Sequence, residues 1–217
     1  MKATINRIIS KKPCVVFLHG FTKTGDDWNI SNIEKQISKT YQTINFTFTN
    51  EDYLLSFEET CNNIVKTIGE SKLNIVWIIV GHSIGGLYAQ MLAKLYPKNI
   101  KGLVLVSSSI NTKHFYERML KLSGEEKDET KKKIYKNWFD NIPKLLYPKD
   151  LNHNIKIICH VDIKNNNSDK RELYEYYKHL TNKNAESKIL LYIDGSHMIH
   201  HKSPYAIVSS IKELIKN

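Results

Sequence analysis

Three short stretches of this sequence carry residue types that together perform acyl transfer. The first is Gly81-His82-Ser83-Ile84-Gly85, a G-x-S-x-G turn between the apolar run Ile75-Val76-Trp77-Ile78-Ile79-Val80 and the helix-forming Leu87 to Ala93. A strand, a sharp turn and a helix in that order lift a serine hydroxyl above the edge of a sheet, the arrangement called a nucleophile elbow. Gly81 and Gly85 leave the room such a turn needs, and Ser83 takes the strained backbone at its tip. The helix N-terminus just beyond adds free N–H groups and partial positive charge.

Serine is a weak nucleophile and needs a base within hydrogen-bond reach. The second stretch, Asp194-Gly195-Ser196-His197, follows the strand-like Lys188 to Ile193 and puts His197 in a loop at a strand end. His200 and His201 are rivals for the role. A histidine cluster also raises metal binding, but no H-E-x-x-H and no matching cysteine spacing accompanies it, so no metal is expected.

The third stretch is Val15-Val16-Phe17-Leu18-His19-Gly20-Phe21-Thr22, an apolar strand that ends in His-Gly ahead of a polar loop. A tetrahedral intermediate carries an oxyanion, and backbone N–H donors that meet it are each worth about 10²–10³ in rate. Phe21 and Ile84 are positioned to supply them. His19 is read as ordering its loop by hydrogen bonding, not as a catalytic base.

The elements that must position these groups follow from the pattern of the chain. Short β-branched runs alternate with stretches of helical period, which implies βα units in a mostly parallel sheet flanked by helices, an α/β fold. Strands are expected at Ile5–Ile9, Cys14–Leu18, Tyr41–Thr47, Ile75–Val80, Ile100–Val106, Ile155–Val161 and Lys188–Ile193. Helices are expected near 27–38, 57–69, 86–96, 168–181 and 204–216. The segment from about 111 to 150 holds no strand-like run. Phe115, Met119 and Leu122, then Ile134, Trp138 and Ile142, recur there at helical spacing, so it reads as a small helical cap within one domain spanning 1–217.

Composition excludes several classes. No stretch approaches the ~18 apolar residues of a membrane span, and the N-terminus lacks a signal-peptide core, so a cytoplasmic protein is expected. Three cysteines, Cys14, Cys61 and Cys159, read as buried thiols without a disulfide. The formal charge of +10 raises nucleic acid as a partner. Only three of the 32 basic residues are Arg, and the lysines are spread along the whole chain with many asparagines, a compositional bias and not a binding stripe. The expected partner is a small molecule, with the chain a monomer or a homodimer.

Taken together, Leu18-His19-Gly20-Phe21 with Asp27-Trp28 after it, Gly81-His82-Ser83-Ile84-Gly85-Gly86, and Gly195-Ser196-His197 resemble the α/β-hydrolase superfamily over nearly the whole chain. The resemblance implies a parallel sheet with a triad at strand C-terminal ends, in the chain order nucleophile, acid, histidine. Lys164 stands where relatives often carry the acid, in the loop His160-Val161-Asp162-Ile163-Lys164. The loop after Val106 offers no carboxylate. Asp162, directly after its strand, is therefore the preferred acid; Asp169, which also reads as a first-turn helix residue, and a Ser-His dyad with no acid stay open. Asp194 is too close to His197 in one tight loop to approach its ring.

The expectation is an esterase-like serine hydrolase that needs no cofactor, with Ser83, His197 and Asp162 as triad. Phe115, Met119 and Trp138 of the cap are the candidate substrate contacts, most simply its own core; if one or two line the pocket, the substrate group is small and apolar. Two other readings fit the same fold: a non-catalytic ligand-binding protein, and a C–C hydrolase or lyase-type enzyme, which the Asp27-Trp28 loop also resembles.

Overall fold

The computed structural model describes residues 1–6, 13–70, 76–108, 112–141, 152, 154–162, 178–179, 184–193 and 197–216, the side chains of 112–116 and 118 excepted. Within them, seven strands form one sheet: β1 (Lys2–Asn6), β2 (Cys14–Leu18), β3 (Thr43–Thr47), β4 (Trp77–His82), β5 (Ile100–Val106), β6 (Lys156–Asp162) and β7 (Lys188–Tyr192). Their order is β1-β3-β2-β4-β5-β6-β7. Only β1 runs antiparallel, against β3; every other neighbouring pair is parallel. The C-terminal ends of β2 through β7 therefore share one edge, the edge where an open α/β sheet binds ligands.

Strands covered on both faces need apolar residues on both, and β2 and β4 are buried at every position. Alternation then sends side chains to two different cores. Cys14, Val16 and Leu18 join Ile79 in the first, with Cys61 and Ile64 of α4 (Phe57–Glu70) and Tyr88 and Leu92 of α5 (Ile84–Leu95). Val15, Phe17, Ile78 and Val80 join the second, with Trp28, Ile33 and Ile37 of α1 (Asp27–Ile30) and α2 (Ile33–Ser38). Ile207, Ile211 and Leu214 of the last helix, α9 (Pro204–Lys216), complete it. Full burial of each such side chain contributes about 1.5–3 kcal/mol, so both layers hold the sheet edge rigid. All three cysteines are buried free thiols, and burial pushes the Cys14 thiol up to about 12.

The expected elements form with a few differences. The helix expected over 27–38 is two pieces, α1 and α2, because Asn32 turns left-handed at φ 62° between them. Asparagine tolerates that conformation better than most residues. A short helix, α3 (Asn50–Leu54), stands in what read as a loop, held by Thr49 and Asp52 as a reciprocal capping box. Another, α8 (Ile199–Lys202), precedes α9. Between β5 and β6, α6 (Thr112–Glu125) and α7 (Glu129–Asn141) pack on each other, and α7 packs on α3. Residues 7–9 of the first expected strand, Ile75, residues 142–150 and all of the expected helix 168–181 except 178–179 lie outside the described residues. No helix among the described residues is long and apolar enough to cross a membrane.

Candidate active site

Ser83 follows the last residue of β4 and precedes the first of α5. Its backbone sits at φ 54°, ψ −118°, a conformation that costs a non-glycine residue about 1–3 kcal/mol. Two close approaches hold it there. A Cβ on Gly81 would lie 2.6 Å from the backbone of Gly86, and one on Gly85 would strike the carbonyls of Leu18 and His19. The Ser83 N–H donates to the Val106 carbonyl at 3.0 Å, and its own carbonyl accepts from Gly86 at 3.0 Å, so the turn is tied to β5 and to the helix. Ile84, the first residue of α5, has an N–H that the helix cannot satisfy.

The loop after β2 lies against this turn, since a Cβ on Gly20 would sit 3.3 Å from Ser83 Cβ. Its order comes from His19, fully buried. The Phe48 N–H donates to His19 Nε2 at 2.9 Å, which leaves the proton on Nδ1 to donate to the Gly20 carbonyl at 2.7 Å. Burial lowers the pKa of this imidazole and keeps it neutral, as the acceptor role of Nε2 requires. His19 is thus a loop anchor, as its sequence position suggested. Phe21 follows it and stacks edge-on against Tyr53, Tyr135 and Trp138.

His197 is exposed, past the end of β7 on the same edge of the sheet as Ser83. Its main chain is fixed from below: the buried His82, next to the serine, donates its Nε2–H to the His197 carbonyl at 3.0 Å. Burial, together with the neighbouring His200 and His197, lowers the His82 pKa well below the ordinary histidine value. His200 lies 4.3 Å from His82 between ring centroids, and His201 lies 4.5 Å from His200. Both of these rivals are engaged elsewhere. His200 Nε2–H donates to Asp27 Oδ2 at 2.7 Å and His201 Nε2–H to Asp27 Oδ1 at 2.9 Å. Burial opposes charge on Asp27, but the two imidazole hydrogen bonds outweigh it and hold the carboxyl well below the usual carboxylate range.

Asp27, His82 and His200 each offer one donor atom, all within 4.8 Å of one another, so they are the residues that could hold a metal ion among those described. Both oxygens of the carboxylate already accept imidazole N–H groups, and the arrangement works without a cation as a clamp. It ties the α8 segment, and with it the His197 loop, to the loop after β2.

Asp162 is the last residue of β6, is buried, and stands in register with Tyr192 of β7, the strand that leads to His197. Asp169, Asp194 and Lys164 lie outside the described residues. Of the three cap residues singled out as substrate contacts, Met119 and Trp138 are buried in the first core, and the Phe115 side chain lies outside the description. A cavity of about 380 Å³ opens beside Phe21 instead, lined also by Phe48, Tyr53, Lys23, Lys131 and Asp128.

Sequence reasoning missed two functional relationships. His82 read as a variable position in the serine motif, and nothing local marks it as the support of His197. Asp27 was visible only as half of an Asp-Trp pair, and its partners lie 173 and 174 positions away. The signal that existed was chemical: two adjacent histidines past a strand end, and an acid that follows the His-Gly loop early in the chain.

A search of curated protein sequences finds no significant match to this chain. Solved structures share its fold at low identity. An enol-lactonase from Burkholderia xenovorans LB400 superposes with a TM-score of 0.75 at 11% identity, over 100% of this chain and 96% of that one. MenH from S. aureus gives 0.69 at 16%, over 99% and 97%, and an esterase from Exiguobacterium antarcticum gives 0.66 at 12%, over 99% and 95%. The sequence model of the alpha/beta hydrolase fold matches residues 13–156, more than half of the chain and inclusive of the His-Gly loop and the serine turn. With that match and the seven-stranded sheet built around it, the chain belongs to the α/β hydrolase fold family.

Proposed function

We propose that the chain is a serine hydrolase that cleaves a carboxylic ester of a small molecule through an acyl-enzyme. The observation that carries this reading is the backbone of Ser83, held at φ 54° on a glycine-flanked turn between a buried strand and a helix. Strain of that kind persists only where the surroundings impose it, which supports a functional role for the serine at this turn. Ser83 Oγ attacks the ester carbonyl carbon while His197 takes its proton. The oxyanion meets the N–H groups of Phe21 and Ile84. Collapse of the intermediate expels the alcohol, protonated by His197, and water then attacks the acyl-enzyme with His197 again as base. Asp162 orients the imidazole and stabilises its charged form. No cofactor enters these steps.

The test is a fluorophosphonate probe followed by intact-mass analysis, with turnover of p-nitrophenyl acetate and butyrate measured in parallel. A single adduct on wild-type protein that is absent from Ser83→Ala, together with ester turnover lost in the same variant, supports the proposal. Folded protein that takes no adduct would sink the nucleophile assignment. An adduct without ester turnover would favour a ligand-binding or lyase-type role.

A further inference from the structure

We infer that the substrate carries an anionic group, a carboxylate or a phosphate, held in the cavity beside Phe21 at the end remote from the bond that is cleaved. This rests on the serine-hydrolase reading of the neighbouring turn. The cavity begins at Phe21, one residue beyond Gly20, which itself lies against Ser83. Its volume of about 380 Å³ suits a small molecule.

Two cationic side chains from separate elements line this space, with an aromatic ring from a third. Lys23 comes from the loop after β2, Lys131 from the first turn of α7, and Tyr53 from α3. Tyr53 is 3% exposed, and its hydroxyl has no hydrogen-bond partner. The hydroxyl itself is sealed from solvent, so Tyr53 lines the cavity through its ring and the cationic groups there are the two lysines. Lysine is a phosphate and carboxylate binder acting as a point charge.

The acids nearby are already committed. Asp128 lines the same cavity, but its Oδ1 accepts the backbone N–H groups of Thr130 and Lys131 as a cap on α7. Asp52, beside Tyr53, accepts the N–H and hydroxyl of Thr49. Two lysines therefore face one capping carboxylate, and the balance at the cavity is positive. Phe21, the lining residue that follows Gly20 and so stands next to the serine turn, is apolar. The sequence expectation of an apolar substrate group thus applies near the ester, and the charge belongs at the far end.

The test compares p-nitrophenyl hydrogen adipate with its methyl-capped ester, two substrates that differ only in terminal charge. Expected is a kcat/KM ratio of about ten or more in favour of the acid, which falls by about tenfold in the double variant Lys23→Met, Lys131→Met. The ratio cancels any loss common to both substrates. A wild-type ratio at or below one, or a ratio untouched by the double variant, would overturn the inference while ester hydrolysis itself stands. Should no ester be turned over, calorimetry of free adipate and of inorganic phosphate with the Ser83→Ala protein decides separately. Binding of either that the double lysine variant abolishes supports the subsite and names its anion; binding of neither refutes it.

Discussion

His82 and His197 are 115 positions apart, yet the ring of the first donates to the backbone carbonyl of the second at 3.0 Å. The residue beside the nucleophile thereby sets the height of the loop that carries the base. His82→Ala should leave the fold intact and lower kcat for p-nitrophenyl acetate by about 10²-fold, the usual result of a small misplacement of a reacting group. His82→Gln, which retains an N–H donor, should recover part of that loss. Equal rates in all three proteins would remove the supporting role.

Ser83→Ala and His197→Ala should be about equally damaging, and the double variant no worse than either, because the two act as one unit. A neutral imidazole is required as base, so kcat/KM should rise with pH through the region where a free histidine loses its proton, about 6.5. Burial lowers the pKa of both His82 and His200, so their ionisation belongs on the acid side of that rise. A profile flat from pH 5 to 8 contradicts the assignment of His197.

Asp162→Asn should fold normally and lower kcat by about 10⁴, since asparagine favours the wrong imidazole tautomer. Unchanged turnover in this variant with a dead Asp169→Asn would transfer the role to the later acid. If neither matters, the enzyme works as a Ser-His dyad.

Acid should destabilise the protein, and the sign follows from the buried histidines. Burial lowers the pKa of His160 to about 3, and those of His82 and His200 fall as well. Their folded values lie below the unfolded one, so the stability they confer is complete above about pH 6.5 and is lost as pH falls towards the folded values. Asp27 acts in the same direction at lower pH, because its depressed pKa makes protonation destabilising below about pH 4. The urea midpoint should therefore drop between pH 7 and pH 4. His160 is hydrogen-bonded to Tyr192 and Ser210. His160→Gln preserves those contacts without a titrating group and should flatten the slope; an unchanged slope would exclude His160 as its source.

Glycine positions separate sharply. Gly85→Ala would drive a methyl group into the Leu18 carbonyl and should cost about 3 kcal/mol or abolish soluble expression. Gly69 and Gly124, both helical with nothing within 4 Å of an added Cβ, should each gain about 0.5–1 kcal/mol on replacement by Ala. Thermal denaturation of the three variants measures both effects.

The parallel sheet was legible because strands buried on both faces leave continuous apolar runs such as Val15 to Leu18, and because Gly81, Ser83 and Gly85 occupy fixed places in a turn. His19 was legible as an anchor for a related reason: a histidine between an apolar strand and a glycine has few other duties. The break at Asn32 was not, since only a left-handed φ separates two helices from one. Helix α3 was missed although Thr49 and Asp52 spell its capping box, because five residues are too few to show a period. The Asp27 clamp was beyond reach for a different reason. Long-range pairing leaves no local trace in sequence, and each partner alone looks like an ordinary polar residue.

That clamp also governs timing. Asp27 leaves the ribosome well before His200 and His201, and a contact across 173 positions cannot form until the later partner has followed. Non-local contacts of this kind slow folding. A nascent chain already carrying the serine turn would lack both the imidazole partners of Asp27 and the carbonyl that His82 supports. A ribosome-stalled chain that ends before residue 197 should accordingly turn over no p-nitrophenyl acetate, however well its sheet has formed.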